Sequence, residues 1–227
     1  MIPFDLLWEQ YKRIIKPNGA IALFGSQPFT SALVMSNPKW FKYEWIWDKV
    51  SPSGHLNAKI KPMLRHENIL IFSEASLKQL PYNPIFTKGR FRNKSPKRST
   101  DLAQNRAYGI VNHTKDNFND IYYPTSICRF SVANRQQKLH PTEKNVGIIE
   151  YLIKTYTLEG ELILDNTAGS GTLAIAAINT NRQYICIEKD PHYFEVMRDR
   201  IANHDPNAPI KTKKPPKVPK GQLTLFN

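Results

Sequence analysis

Residues 162–172 read Leu162-Ile163-Leu164-Asp165-Asn166-Thr167-Ala168-Gly169-Ser170-Gly171-Thr172. The short apolar run predicts a buried strand ending in an acid, followed by a small-residue turn that opens into a helix over 172–179. Gly169 and Gly171 let the backbone pass close to a ligand and take dihedrals that side chains resist. The helix N-terminus behind them offers N–H groups with no intrahelical partner. About 20 residues after Asp165, Tyr184-Ile185-Cys186-Ile187 predicts a second strand ending at Glu188. A carboxylate at that tip is placed to accept hydrogen bonds from ribose hydroxyls. Strand, glycine turn, helix, strand and acid together define a cofactor site. The G-x-G-x-x-G spacing of a dinucleotide fingerprint is not met. A nicotinamide or nucleotide site, or a glycine turn without function, is the competing reading.

Flanking segments extend the pattern. Upstream, Asn145–Tyr156 repeats Val146, Ile149, Ile153 and Tyr156 at helical intervals, and downstream His192–Ala202 predicts another helix. In the first third, Phe4–Ile15 is a helix stopped by Lys16-Pro17-Asn18-Gly19, Ala20–Phe24 a covered strand, and Pro28–Met35 a helix. Tyr43–Trp47 and Asn68–Phe72 are two further strands. Short alternation of strands and helices predicts an α/β domain with a parallel sheet and crossover helices.

Lys88–Asn112, KGRFRNKSPKRSTDLAQNRAYGIVN, breaks the pattern with basic residues and little periodicity, and after Asn203 the chain turns Pro- and Lys-rich. Such a tail cannot build a core and predicts an extended linker. Lys and Arg total 32 against 19 acidic residues, a net charge of +13. That excess favours a polyanionic partner, with nucleic acid first. No stretch reaches the roughly 18 apolar residues of a membrane span, and no secretion signal is visible at the start. Cys128 and Cys186 have neither disulfide-framework nor zinc spacing, and Cys186 reads as a buried free thiol. A cytoplasmic location is expected.

DNTAGSGT resembles the D-P-F-x-G-S-G-T cofactor motif of DNA amino-methyltransferases, which methylate adenine N6 or cytosine N4. Leu139-His140-Pro141-Thr142-Glu143-Lys144 resembles their H-P-T-Q-K-P element, and IEKDPHYFEVMRDRI the next motif, whose acid binds the cofactor ribose. LLWEQYKRIIKPNGAIALFGSQPF, WFKYEWIWDK and HENILIFSE resemble the same family over residues 2–74. The motif order matches its beta arrangement. The resemblance implies a Rossmann-like class I methyltransferase sheet flanked by helices, with a basic target-recognition insert. It implies an S-adenosylmethionine site built from Asp165, Ala168, Gly169, Ser170, Gly171, Thr172 and Glu188, with His140, Thr142 and Lys144 nearby. Asn166 and Thr167 stand where the family has Pro-Phe, and Glu143 where it has Gln.

The family's catalytic tetrapeptide [D/N/S]-P-P-[Y/F/W] is absent from the sequence; Asp190-Pro191-His192-Tyr193 reads instead as a helix start. In relatives that motif ends a central strand between the first cofactor strand and the strand here at Ala20–Phe24. The resemblance therefore implies a chain lacking its central catalytic strand. Alone it is expected to be inactive and unstable, because two sheet edges lose their partner. A truncated gene, a late start and a split enzyme each fit, so a missing N-terminal fragment is one expected partner. A non-catalytic remnant binding DNA or a sliding clamp is the alternative.

The expected organisation is a methyltransferase domain over 1–203 and a linker with a terminal peptide over 204–227. Within the domain, 1–75 is the incomplete catalytic half, about 76–135 the recognition insert and 138–203 the cofactor half. Arg90, Arg92, Lys94, Lys97, Arg98 and Arg106 are the expected phosphate contacts on double-stranded DNA, with Phe91, Asn93 or Gln104 placed to read base edges. Gln222-Leu223-Thr224-Leu225-Phe226 resembles the Q-L-[S/D]-L-F peptide by which bacterial proteins dock on the sliding clamp. Gln222, Leu223, Leu225 and Phe226 are its expected contacts. Family prevalence favours adenine N6 as the target, and a cognate restriction endonuclease is a further partner the resemblance allows.

Overall fold

The structure is a computed structural model, described over residues 3–91, 120–132 and 139–207. Helix α1 (Phe4–Ile14) turns Trp8 inward, with Phe4, Tyr11 and Ile15 packed around it. It ends before Pro17, whose ring and missing N–H stop a helix. Strand β1 (Ile21–Gly25), helix α2 (Phe29–Ser36), and the hairpin strands β2 (Phe41–Ser53) and β3 (Leu64–Phe72) follow. Two short strands, β4 (Thr87–Lys88) and β5 (Ile121–Tyr122), pair with each other, and β6 (Ile127–Arg129) lies along β2.

The larger sheet has the order β1-β3-β2-β6. Strand β3 runs antiparallel to both neighbours, while β6 is parallel to β2. The sheet is therefore mixed; the parallel pairing predicted from the alternation after Asn145 is found between residues 162–165 and 183–186. Only a single 3₁₀ turn lies between β2 and β3, too short for a crossover, so the chain reverses and β3 runs back. Period-two side-chain alternation then divides β3 between two layers. Ile69 and Ile71 face one core with Trp45, Trp47 and the helix α3 (Val146–Tyr156), whereas Leu70 and Phe72 face the other with Trp8, Ile21 and Leu33.

The C-terminal part is a βαβα unit. Strand β7 (Leu162–Asp165), helix α4 (Thr172–Asn179), strand β8 (Gln183–Cys186) and helix α5 (Pro191–Ala202) succeed each other, with β7 and β8 parallel. Caps fix where these helices start. The Asn145 side chain accepts from Gly147 N–H, and Asp190 accepts from His192 and Tyr193 N–H with Pro191 in the first turn. Cys128 is the buried cysteine; Cys186 is half-buried, and burial pushes its thiol up to about 12. No helix among the described residues is long and apolar enough to cross a membrane.

A buried polar knot joins the two parts. Trp45 Nε1–H donates to the Tyr156 hydroxyl at 2.7 Å, and the Tyr43 and Tyr156 hydroxyls are 2.9 Å apart. Tyr156→Phe would strand the indole N–H of Trp45, which is only 3% exposed. Leaving such a donor unpaired costs about 1–3 kcal/mol. Urea denaturation should show a loss of that size, and an unchanged midpoint would contradict it.

Candidate functional site

The glycine turn is held by the strand that follows it. Ile187 N–H donates to the Asp165 carbonyl at 2.8 Å, and Ala168 N–H donates to the Ile187 carbonyl at 3.0 Å. Gly169 N–H then donates to Glu188 Oε2 at 2.7 Å, so the acid at the second strand tip reaches the turn itself. The other oxygen of Glu188 accepts Asp190 N–H at 2.9 Å. Backbone N–H groups of Asp190 and Gly169 hold the Glu188 carboxyl below its usual range. Asp165 behaves oppositely. Burial, reinforced by the charge of Glu188, pushes its carboxyl up, although its Oδ1 accepts Thr167 N–H at 3.0 Å. Two acids of opposite tendency thus flank one turn.

Both turn glycines are required by conformation. Gly169 has φ +53° and Gly171 φ +76°, the left-handed region. A Cβ on Gly171 would lie 2.6 Å from Met197 Cγ, and one on Gly169 would sit 3.2 Å from the His140 ring. Met197 belongs to a face of α5 that the sequence reading did not single out. Tyr193, Met197 and Arg200 recur at helical spacing, which is the signal that could have found them. The Tyr193 ring packs edge-on against His140 at 4.2 Å between centroids. Arg200 donates to the Ser170 carbonyl and hydroxyl, each at 3.1 Å, and pairs with Glu143 at 3.1 Å. Glu143 has a partner in Arg200 that accounts for an acid where the resembling motif has Gln.

The other expected cofactor residues divide by position. Ala168, Ser170 and Thr172 are buried within the turn. His140 and Thr142 stand beside it, the imidazole Nδ1 within 3.2 Å of Thr142 N and 3.0 Å of its hydroxyl. Lys144 stands beside the cleft that opens from this turn, held from the larger sheet. Its ammonium donates to Glu67 at 2.8 Å and lies 5.0 Å over the Phe24 ring. Glu67 also pairs with Lys49 at 2.9 Å, so the Lys144 charge is already matched.

A cleft of about 1000 Å³ opens from the glycine turn between the two sheets. Its walls include Leu23 and Phe24 of β1, Leu162 and Leu164 of β7, and Tyr11 of α1. Helix α1 spans it: Lys16 pairs with Glu161 at 3.0 Å before β7, and Tyr11 donates to Asn166 at 3.2 Å after β7. So α1 runs against β7, and β1, which turns back after α1, begins at the same end as β7. Among the described residues β1 pairs only with β3 and β7 only with β8, which leaves the edges facing the cleft open. The predicted buried strand is accordingly half exposed. Ile163 and Tyr184 face the α3–α4 core, but Leu162, Leu164, Ile185 and Ile187 are exposed on the opposite face.

At the base of the basic insert, β4 and β5 form a two-stranded neck, with Gly89 N–H donating to the Asp120 carbonyl at 2.7 Å and Lys88 pairing with Asp120 at 3.2 Å. Arg90 is exposed and its carbonyl accepts the Tyr122 hydroxyl. Arg92, Lys94, Lys97, Arg98 and Arg106 lie outside the described residues, as do Gln222, Leu223, Leu225 and Phe226.

Comparison with known proteins places this geometry. The chain belongs to the DNA methylase family whose N6/N4 methyltransferase model matches residues 5–199. It is 26% identical over 208 residues to the type II methyltransferase M.HpaI of Haemophilus parainfluenzae, a match covering 88% of this chain and 59% of that protein. The chain thus spans about three fifths of the length of that curated relative. The fold resembles that of the M1.HpyAVI–SAM complex, with a TM-score of 0.58 and 22% identity over 87% of this chain and 82% of the other. It also resembles the cytosine-N4-specific PvuII DNA methyltransferase, with a TM-score of 0.60 and 17% identity over 89% and 72%.

The raised carboxyl of Asp165 has a measurable consequence. A raised folded-state pKa favours folding only while the group is protonated, and that contribution is lost as pH rises through the folded value. Asp165→Asn keeps the Thr167 contact without the charge. It should raise the melting temperature at pH 7, with a gain that vanishes below the ordinary carboxylate range. A variant less stable than the parent at pH 7 would contradict this.

Proposed function

We propose that this chain is the cofactor-binding and DNA-recognition part of an S-adenosylmethionine-dependent DNA amino-methyltransferase, with adenine N6 the favoured target. The observation that carries the reading is the Gly169 N–H···Glu188 contact at 2.7 Å, which joins the turn and the acid into one site. Backbone N–H groups of Asp190, Gly169 and Lys189 all reach the Glu188 carboxylate, whose roughly four lone-pair sites leave capacity for a ribose hydroxyl. Asp165, desolvated beside a second acid, gains from a positively charged neighbour. A sulfonium amino-acid nucleoside meets both conditions and supplies an electrophilic methyl group. Asp165, Gly169 and Glu188 would hold it, with His140 and Thr142 beside the turn.

Family membership and the net charge of +13 support DNA as the acceptor. Transfer to an exocyclic amine also requires extrusion of the base from the duplex and an acceptor for its N–H. By the family resemblance a Pro-Pro-aromatic motif at the end of a further strand does both. The cleft between β1 and β7 supports that reading: a strand laid parallel between them would satisfy both open edges, and its C-terminal end would arrive beside Asp165 and Gly169. Without such a strand this chain is expected to bind donor weakly and to transfer nothing.

A protein extended to include that strand should transfer labelled methyl groups from S-adenosylmethionine to duplex DNA. Nucleoside mass spectrometry should identify N6-methyladenine, with the 227-residue chain inactive. N4-methylcytosine would correct the target alone. Methylation at a ring carbon, or none from the extended protein, would overturn the reading.

The C-terminal peptide supports recruitment to the sliding clamp, because a short motif behind a Lys/Pro linker raises the local concentration of the enzyme on replicated DNA. Leu225→Ala with Phe226→Ala should abolish clamp binding in a pull-down, and undiminished capture would remove the idea.

A further inference from the structure

An ion pair stands behind the glycine turn. Arg200 of α5 turns its guanidinium onto the turn, where Nη1 donates to the Ser170 carbonyl and hydroxyl, each at 3.1 Å, and lies 3.4 Å from the Thr172 hydroxyl. Glu143 Oε1 meets the same nitrogen at 3.1 Å. The other Glu143 oxygen accepts Leu139 N–H at 2.8 Å, and Glu143 N–H donates to the His140 carbonyl at 3.1 Å. The carboxylate therefore closes residues 139–143 on themselves and fastens them to α5, with the His140 ring set against Gly169.

Beyond anchoring, the carboxylate supplies charge at a place where charge counts. The Glu143 side chain is 6% exposed and that of Arg200 18%, so water screens neither well. Glu143 lines the cleft together with Ser170, Thr172 and Asp165. While it is ionised it cancels the guanidinium, and the field at the turn is left to Asp165 and Glu188. Without it, a largely buried cation would remain in hydrogen-bonding contact with the turn. Its potential would act on any ligand seated there, and most strongly on one that is itself positive.

We propose that the Glu143–Arg200 pair sets the discrimination between the sulfonium donor and its uncharged thioether product. By cancelling the guanidinium it lets the two acids favour the cationic form. Methyl transfer leaves the sulfur with the bonding electron pair and without its charge, so the field that draws the donor in releases the product. Glu143 and Arg200 act through the turn and through each other, as positioning residues. This rests on the reading of the turn as an S-adenosylmethionine site.

The test titrates S-adenosylmethionine and S-adenosylhomocysteine separately into the full 227-residue chain, with affinities read from protein chemical shifts up to millimolar ligand. Glu143→Gln should lower the donor-to-product affinity ratio by roughly five- to tenfold, the effect of one uncompensated charge across a site of effective dielectric near about 20. Arg200→Gln, which keeps the carboxylate, should move the ratio in the opposite direction. The double variant, Glu143→Gln with Arg200→Gln, should return it to the parent value even where both affinities fall. A pair with only a structural role would weaken the two compounds together and leave the ratio unmoved in every variant. That outcome, or equal shifts of one sign in the two single variants, would overturn the proposal. If one single variant fails to fold, the sign of the other carries the test. A parent that takes up neither compound would overturn the donor site itself, and with it this inference.

Discussion

One carboxylate organises the C-terminal half of this molecule. Glu188 ends its strand close enough to Gly169 to accept the turn's N–H, and the left-handed φ of Gly169 and Gly171, with Met197 packed close on Gly171, calls for glycine at both positions. Burial pushes the Asp165 carboxyl up, and the Glu188 charge adds to the shift. On the proposed reading, the two acids favour a ligand that brings hydroxyl donors and positive charge to the turn.

The second constraint is geometric. Helix α1 fixes β1 and β7 in parallel through Lys16–Glu161 and Tyr11–Asn166, yet the two strands do not pair with each other. Open strand edges and the exposed Leu162, Leu164, Ile185 and Ile187 are costly in water. The cleft they line therefore has the hydrogen-bonding and apolar character of a strand site, and it empties toward the glycine turn.

Much of this was legible in the sequence because it depends on local rules. The helix over 172–179 appears with the predicted bounds, and α3 and α5 begin at their capping residues Asn145 and Asp190. The acid at 188 was placed by strand length and turn chemistry alone. Tertiary relations were not legible. Nothing in the pattern of β3 distinguishes antiparallel from parallel pairing, since a strand covered on both faces is apolar either way. The pairing of Lys144 with the half-buried Glu67 of β3, distant in sequence, could not be read from the motif. The buttressing by Tyr193, Met197 and Arg200 was visible only as a helical spacing whose partner could not be named.

Calorimetric titration of S-adenosylmethionine into the strand-completed protein, beside its Glu188→Ala variant, tests the site at its root. The account predicts uptake of one equivalent by the parent, weakened at least about tenfold in a variant that still folds, because ribose contacts and the support of Gly169 go together. Equal affinity in the two proteins, or uptake of a nicotinamide dinucleotide in place of the sulfonium donor, would contradict it.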